Sequence, residues 1–501
     1  LAGSRLEATG FTKTFDTVTV SAPAGIVRLA TALGGVRTHA DSVVDVSASG
    51  ADAGQFVVSA VAGSVQFDGT LRGAATGTAT IAPRNGRFAL DALSLADLST
   101  LAARLQAGGF TDAVSVRVRE GDLSLLADAT LRANRVSLSA DDGGIDIDGT
   151  IDASGAKGGR IELFAANAGA TDSGRIALGA TARLLANATA TRATAYGTEA
   201  QGGDVVLGVS GDTADHAAAA RLILESGSVI DVSVPTGSAA AAGTVTLRAP
   251  RVASGGATID EVAITSNADG TIGGPLAATI TGADSIVVEA TAVIRPAGGA
   301  INSALLTATT PSSLRGVTNA FMANASAIET RLGYAGVDRF HLRPGIEIVA
   351  DGDLTLSTDW NFRAGTAPAF QWRYGADGGT DLGEPGVLTL RAGGNLVLNG
   401  SLSDGFTTAT SAGLLLVGAS GDVPSASKES WSYRLVSGAD LAAADLLAVR
   451  DAATLGDSGH VLLGANRIVR TGAGDIDLAT GGDLRMAAST SVIYTAGVGN
   501  Q

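Results

Sequence analysis

A short phrase keeps returning along the chain: a glycine, a polar residue, an aliphatic residue, a variable position and a second aliphatic residue. It reads Gly159-Arg160-Ile161-Glu162-Leu163, Gly174-Arg175-Ile176-Ala177-Leu178, Gly203-Asp204-Val205-Val206-Leu207 and Gly243-Thr244-Val245-Thr246-Leu247, and it recurs from Gly352, Gly394, Gly474 and Gly482. Alternation with a two-residue period is the mark of a short strand that buries one face. A second alternating run usually follows, as in Thr150-Ile151-Asp152, Ala182-Arg183-Leu184, Ser228-Val229-Ile230-Asp231-Val232 and Ser491-Val492-Ile493-Tyr494. With Ala220-Arg221-Leu222-Ile223-Leu224 counted as a further unit, four steps lead from Gly159 to Gly243. The mean spacing is then about 21 residues, a length that suits one coil of a β-solenoid.

Composition separates this reading from a sandwich of hairpins. A sandwich needs aromatic side chains to fill a core about 10 Å thick and tight Asn-Gly or Asp-Gly turns between long strands. Here aromatics make up 4% of the chain, and Ile, Leu, Val and Ala hold the inward positions, as they would when successive coils stack inside a narrow tube. The 68 glycines among 501 residues are expected to supply corners with positive φ. The predicted fold is all-β, a right-handed parallel β-helix (β-solenoid) with a few short helical insertions, the hand following from the rule for parallel crossovers.

The predicted organisation is solenoid over residues 1–93, a helical insertion over 94–108, solenoid over 109–300, a linker over 301–340, and solenoid again over 341–501. In the first helix Ser94 is the expected cap, Asp97 sits at the capping-box position, Leu98, Leu101 and Leu105 share a face, and Gly108 ends it. The linker carries a helix over 311–332, with Thr310 as cap, Pro311 in the first turn and Gly333 as stop. An aromatic-rich insertion falls near 357–375. The patch 439–453 reads as either a short helix or a loop.

Several chemistries are excluded or weakened. The absence of cysteine removes disulfides, thiolate metal sites and cysteine nucleophiles. A net charge of −15, with only Lys13, Lys157 and Lys428 as lysines, argues against nucleic acid as a partner. Apolar runs such as 414–417 are far shorter than the roughly 18 residues of a membrane span. No signal peptide is visible from Leu1, so the chain is expected to be part of something longer.

Gly456-Asp457-Ser458-Gly459 spells the tetrapeptide around a serine-protease nucleophile, but the nearest histidine, His460, is adjacent in sequence, and the expected role is a polar turn. Ser425 and Lys428 match a Ser-x-x-Lys pattern without its companion motifs. His39, His216, His341 and His460 never fall at zinc-ligand spacing. Asp141, Asp142, Asp146, Asp148 and Asp152 alternate with isoleucines, and Asp146 and Asp148 read as the solvent side of a strand, with calcium or sugar chemistry as the alternative. No catalytic, cofactor-binding or metal-binding residue is assigned. Trp360, Phe362, Phe370, Trp372 and Tyr374 lie within fifteen residues, and Trp431 and Tyr433 follow. They are a candidate ligand or partner surface, because aromatic faces give large contact area, against the plainer reading of an insertion that covers a flank.

Three phrases carry a family resemblance: Ile151-Asp152-Ala153-Ser154-Gly155-Ala156-Lys157-Gly158-Gly159, Phe340-His341-Leu342-Arg343-Pro344-Gly345-Ile346-Glu347-Ile348, and Gly474-Asp475-Ile476-Asp477-Leu478 through to Ser491-Val492-Ile493-Tyr494-Thr495-Ala496-Gly497. The chain resembles the large filamentous-haemagglutinin-like exoproteins of Gram-negative bacteria over most of its length. The resemblance implies export by two-partner secretion through an outer-membrane transporter, a secreted or cell-surface location, and a β-helical shaft serving adhesion or an extracellular filament. The partners it implies are host or neighbouring cell surfaces, glycans or extracellular matrix, and other copies of the fibre. The family's Asn-Pro-Asn-type secretion motifs have no counterpart here, as expected of an internal or carboxy-terminal segment. The expected function is a structural shaft without enzymatic activity. The alternatives are a β-helix carbohydrate-active enzyme using Asp146 and Asp148, or a sugar-binding module centred on Trp360 and Trp372.

Overall fold

The computed structural model describes residues 3–77, 82–169, 174–194, 197–199, 201–211, 213–236, 242–255, 258–302, 304–305, 313–362, 372–375, 383–404, 406 and 429–496. Strands account for 47% of the chain and helices for 10%, which makes the fold all-β. It divides into two compact units, Leu1–Leu247 with Ala263–Ile286, and Arg248–Val262 with Val287–Gln501.

In the first unit the chain visits three sheets in turn. The longest holds Ile26–Thr31, Gln55–Phe67, Arg87–Leu95, Ala113–Val118, Arg135–Ala140, Arg160–Asn167 and Asp204–Gly211. A second holds Leu123–Leu125, Ile145–Ile147, Arg175–Leu178, Arg221–Leu224 and Ile264–Thr265, and a third holds Thr130–Arg132, Thr150–Asp152, Arg183–Leu185, Val229–Asp231 and Thr279–Thr281. Neighbouring strands within each are parallel. Because pairing is in register and side chains alternate, like stacks on like. Phe88, Val114, Val136, Ile161 and Val205 form one buried column, and Leu90, Val116, Leu138, Leu163 and Leu207 form the next. Leu123, Ile145, Ile176, Leu222 and Ile264 line the second sheet, and Leu131, Ile151, Leu184, Ile230 and Ile280 the third.

The spacing of the repeat differs from expectation in an instructive way. The phrase from Gly159 opens a strand of the long sheet, whereas the phrase from Gly174 opens one of the second sheet; Gly203 returns to the long sheet. Arg160 therefore faces Asp204, 44 residues on. The steps counted from Gly159 to Gly243 are two circuits rather than four. A shorter circuit does occur earlier, where Asp122 and Gly144, 22 residues apart, precede the paired Leu123 and Ile145. The longer circuits gain length in their connections, one of which carries the antiparallel hairpin Arg192–Thr194 with Gly197–Glu199, while strand length changes little.

The glycine of the phrase also has a different purpose from the one expected. Gly174 does have φ of 78°. Gly159, Gly203 and Gly243 have no positive φ, and each is instead a place where adjacent rungs nearly touch. A Cβ on Gly203 would lie 2.2 Å from the Gly159 carbonyl oxygen and 2.3 Å from that of Ala186, and one on Gly243 would lie 1.8 Å from the Gly203 carbonyl oxygen.

Helix Leu98–Gly108 stands where its circuit has no second or third strand, and it packs beside Thr70–Arg72 and Thr130–Arg132 with Leu98, Leu101 and Leu105 buried. Its cap is Asp97, which accepts from the Thr100 amide; Ser94 belongs to the preceding strand, and Gly109 at φ 78° is the stop.

In the second unit the long sheet runs through Phe340–Ala350, Val387–Ala392, Ser432–Ser437 and Ile476–Thr480. A second sheet runs through Ala300–Ile301, Leu354–Leu356, Leu396–Leu398, Val461–Leu463 and Leu484–Met486, and a third through Trp360–Asn361, Leu402–Ser403, Ile468–Thr471 and Val492–Thr495. The helix expected over 311–332 is two helices, Leu314–Met322 and Ala325–Leu332; Thr310 and Pro311 lie outside the described residues. Ser313 caps the first helix. Asn324 divides them: its backbone amide donates to the Phe321 carbonyl rather than to that of Ala320, and its side-chain amide donates to the carbonyls of both Ala320 and Phe321. The 439–453 patch is loop until Ala452–Leu455 forms a short helix capped by Asp451.

Gly203→Ala should destabilise the protein by about 1–3 kcal/mol, because two backbone oxygens must move to admit one methyl group. A urea titration checks this, with Gly169→Ala as control, since nothing lies within 4 Å of a Cβ there.

Candidate functional site

The six aromatic residues proposed as a surface are inside the second unit. Trp360, Phe362, Trp372, Trp431 and Tyr433 are at most 1% exposed and Tyr374 is 7% exposed. Phe362 stacks on Trp431 with centroids 4.3 Å apart and meets Trp360 and Trp372 edge-on at 5.8 and 5.4 Å. The Trp431 indole N–H donates to the Trp372 carbonyl at 2.9 Å. Rings whose faces are taken by other rings cannot stack on a sugar, so this cluster is core and not a recognition platform. Phe370 lies outside the described residues.

The acidic run of the first unit borders a groove of about 710 Å³ on the outer side of the second sheet. Ser124, Asp146, Ala177 and Ile223 stand in register across it, while Ile145 and Ile147 point inward and are buried. Asp146 is half-buried and held by a two-pronged Arg175 fork at 2.7 and 3.0 Å; Asp148 is exposed at the rim with Glu225 and Asp269. Arg221 spends its donors on the carbonyls of Ala218, Ala220 and Gly270. The remaining acids of the run are likewise engaged, Asp141 with Arg117, Asp142 with the Ala168 amide and Asp152 with Ser154. These carboxylates fix turns and rungs. The strand reading of Asp146 matches its placement.

The serine-protease tetrapeptide is a turn. Ser458 donates to the Leu455 carbonyl at 2.7 Å, while His460 accepts from the Asp483 amide through Nδ1 and faces Asp457 through Nε2 at 3.4 Å. With the hydroxyl and both ring nitrogens otherwise engaged, no base serves the serine. Ser425 and Lys428 lie outside the described residues.

Two ionic arrays were not anticipated. In one, His341, Glu384 and Glu429 bring three metal-ligating atoms within 4.8 Å of one another. Arg343 donates to both carboxylates and His341 Nδ1 meets Glu384 at 2.7 Å, so both carboxylates are already held by the chain's own side chains. Burial would raise Glu384, but the hydrogen bond to His341 and the Arg343 charge outweigh it and hold the carboxyl below its ordinary range.

In the other array, Glu347 bridges Arg248 at 2.6 Å and Arg391 at 2.9 Å, while both carboxylate oxygens of Glu289 accept from the one Nη1 of Arg434 at 2.9 Å and Glu289 lies 3.4 Å from Arg248. Glu289 and Glu347 are 1% and 4% exposed. All five residues lie on strands where alternation alone gives no sign of burial; helix Leu314–Met322 packs beside Phe340–Ala350, the strand of Glu347, and Arg391 also donates to the Asp440 carbonyl of a distant loop. Burial alone would push Glu347 up, and the Arg391 and Arg248 charges together pull it below its usual value.

Among the described residues no helix is long and apolar enough to cross a membrane. Comparison with known proteins finds no matching family model, no matching characterised protein and no matching solved structure.

Glu347→Gln should cost about 3–5 kcal/mol, because it leaves two buried guanidiniums without their shared anion. The acid dependence follows from the depressed glutamates. Their stabilisation is fully present above the ordinary glutamate value of 4.5 and is lost as the pH falls below it. Urea titrations across that range should show a fall in stability that is smaller in Glu347→Gln.

Proposed function

We propose that the chain is a right-handed parallel β-helix serving as a structural shaft of a secreted or surface-exposed bacterial adhesin or extracellular fibre. The observation that carries this reading is the set of aliphatic columns, kept in register through parallel strand after parallel strand in both units. A fold of this kind lengthens by adding rungs, each stabilised by its neighbours, and so provides reach without requiring a catalytic centre. The resemblance to filamentous-haemagglutinin-like exoproteins supplies the secreted setting, two-partner export through an outer-membrane transporter, and cell surfaces, glycans or matrix as partners. The net charge of −15 favours rods that repel one another at low salt.

The groove beside Asp146 supplies the competing reading, a carbohydrate-active β-helix. Its best-placed carboxylate is already clasped by Arg175, which leaves it poorly disposed to exchange a proton with substrate.

Negative-stain electron microscopy should show rods, and aligned samples should diffract with a spacing of about 4.8 Å along the rod axis. Compact particles lacking that reflection would overturn the shaft. Incubation with acidic and neutral polysaccharides should leave chain lengths unchanged; cleavage that disappears in Asp146→Asn would replace the structural reading with the enzymatic one.

A further inference from the structure

The first unit carries a second groove, of about 470 Å³, where the connections that enter strands Arg160–Asn167 and Asp204–Gly211 meet. The Gly158 amide joins the two connections by donating to the Gln201 carbonyl at 2.8 Å. Glycines, among them Gly155, Gly158 and Gly202, leave the base of the groove as backbone. Its polar side chains come from Asn134, Arg135, Lys157, Arg160, Gln201 and Asp204. Cations therefore outnumber anions around this groove, in a protein whose net charge is −15.

The cations are not equivalent. Arg160 holds Glu162 at 2.9 Å and Asp204 at 3.5 Å. Arg135 and Lys157 are exposed and meet no carboxylate among the described residues. Arg135 also stands directly opposite Arg160 on the neighbouring rung. Like charges paired across adjacent strands destabilise a sheet, and the remedy used elsewhere along this edge, Arg87 with Asp112 at 2.6 Å, is missing at Arg135. The column does not require a cation there, since Ala113 fills the same position one rung earlier.

We infer that this groove binds an acidic polysaccharide, a chain that carries a carboxylate on its uronate residues. The inference rests on the reading of the chain as a surface shaft for its setting, and on the groove alone for its chemistry. Arg135 offers a planar fork that matches a carboxylate, and Lys157 supplies a compact charge at the end of a flexible stem. The exposed amides of Asn134 and Gln201 both donate and accept, as sugar hydroxyls between the charges require. Among the described residues no aromatic side chain lines the groove, so a nucleobase has nothing to stack on. Two unmatched cations also suit a sparsely charged polymer better than the closely spaced phosphates of a nucleic acid. At physiological ionic strength charges are screened beyond about 8 Å, so these local cations, and not the net charge of the protein, decide what the groove attracts.

The test is calorimetric titration of the full chain with polygalacturonate, neutral dextran and single-stranded DNA, using the unmodified protein, Arg135→Ala and Lys157→Ala. Both side chains are exposed and hold no carboxylate among the described residues, so both variants should unfold thermally at the unmodified midpoint. Polygalacturonate is expected to bind and neutral dextran to give no heat. Each substitution should weaken polygalacturonate about three- to tenfold, the effect of losing one charged contact, and should make the affinity fall less steeply with added salt. Absence of polygalacturonate binding, binding undiminished in either variant, or equal binding of neutral dextran would overturn the site. DNA bound more tightly than polygalacturonate and weakened by the same substitutions would overturn it too, in favour of a nucleic-acid groove. Rods seen by electron microscopy without polygalacturonate binding would remove the site and leave the shaft, whereas binding without rods would do the reverse.

Discussion

The structure depends on hydrogen bonding between parallel strands that are not neighbours in sequence. Each rung presents its amides and carbonyls to the rung before and the rung after, so a strand's register is decided by a segment some 20 to 67 residues away. Because side chains alternate with a period of two, a slip of one residue would bring a whole column out of the interior and send polar residues in. The columns of Val, Ile and Leu are what forbid the slip. They also explain why circuits of such different length coexist: the register constrains the strands, and the connections are free to lengthen.

The same logic assigns the charged residues their roles. Pairs at the open surface, such as Arg87 with Asp112 or Arg160 with Asp204, join adjacent rungs on arginines that are nearly half exposed, and pairs of that kind contribute little to stability. Where an inserted helix or loop covers the outer face of a sheet, the arithmetic reverses. A charge there has lost its water, and Glu289 and Glu347 are tolerated because three arginines surround them. Their contribution lies in specifying which elements cover that face, since displacing one partner leaves the others unpaired.

Alternation was legible in the sequence because it is a local consequence of burying one face. Strands such as Arg160–Asn167 and Asp204–Gly211 are where the phrase places them. Assignment to a sheet was not legible, because Gly159 and Gly174 open near-identical phrases on different sheets and only long-range pairing tells them apart. Close approach was hidden for a related reason. Gly203 is required by the Gly159 carbonyl on the neighbouring rung, and nothing beside it in sequence announces that. The aromatic cluster was visible as an anomaly of composition, but whether Trp360 and Trp431 faced out or in depended on their stacking with Phe362. The ionic arrays were invisible, since Glu347 and Arg391 sit at positions that would be solvent-facing without the insertion over them.

Stacked columns of apolar side chains leave little room for chemistry within the repeat itself. Every inward position is occupied by the residue that the rungs on either side demand, and a polar group placed there would interrupt a column. Sites must therefore form where a circuit is lengthened and its extra residues fold back on the sheet. In a scaffold of this kind the repeat supplies position and stiffness, while recognition is added at the insertions, so substitutions at the two kinds of place should separate stability from binding.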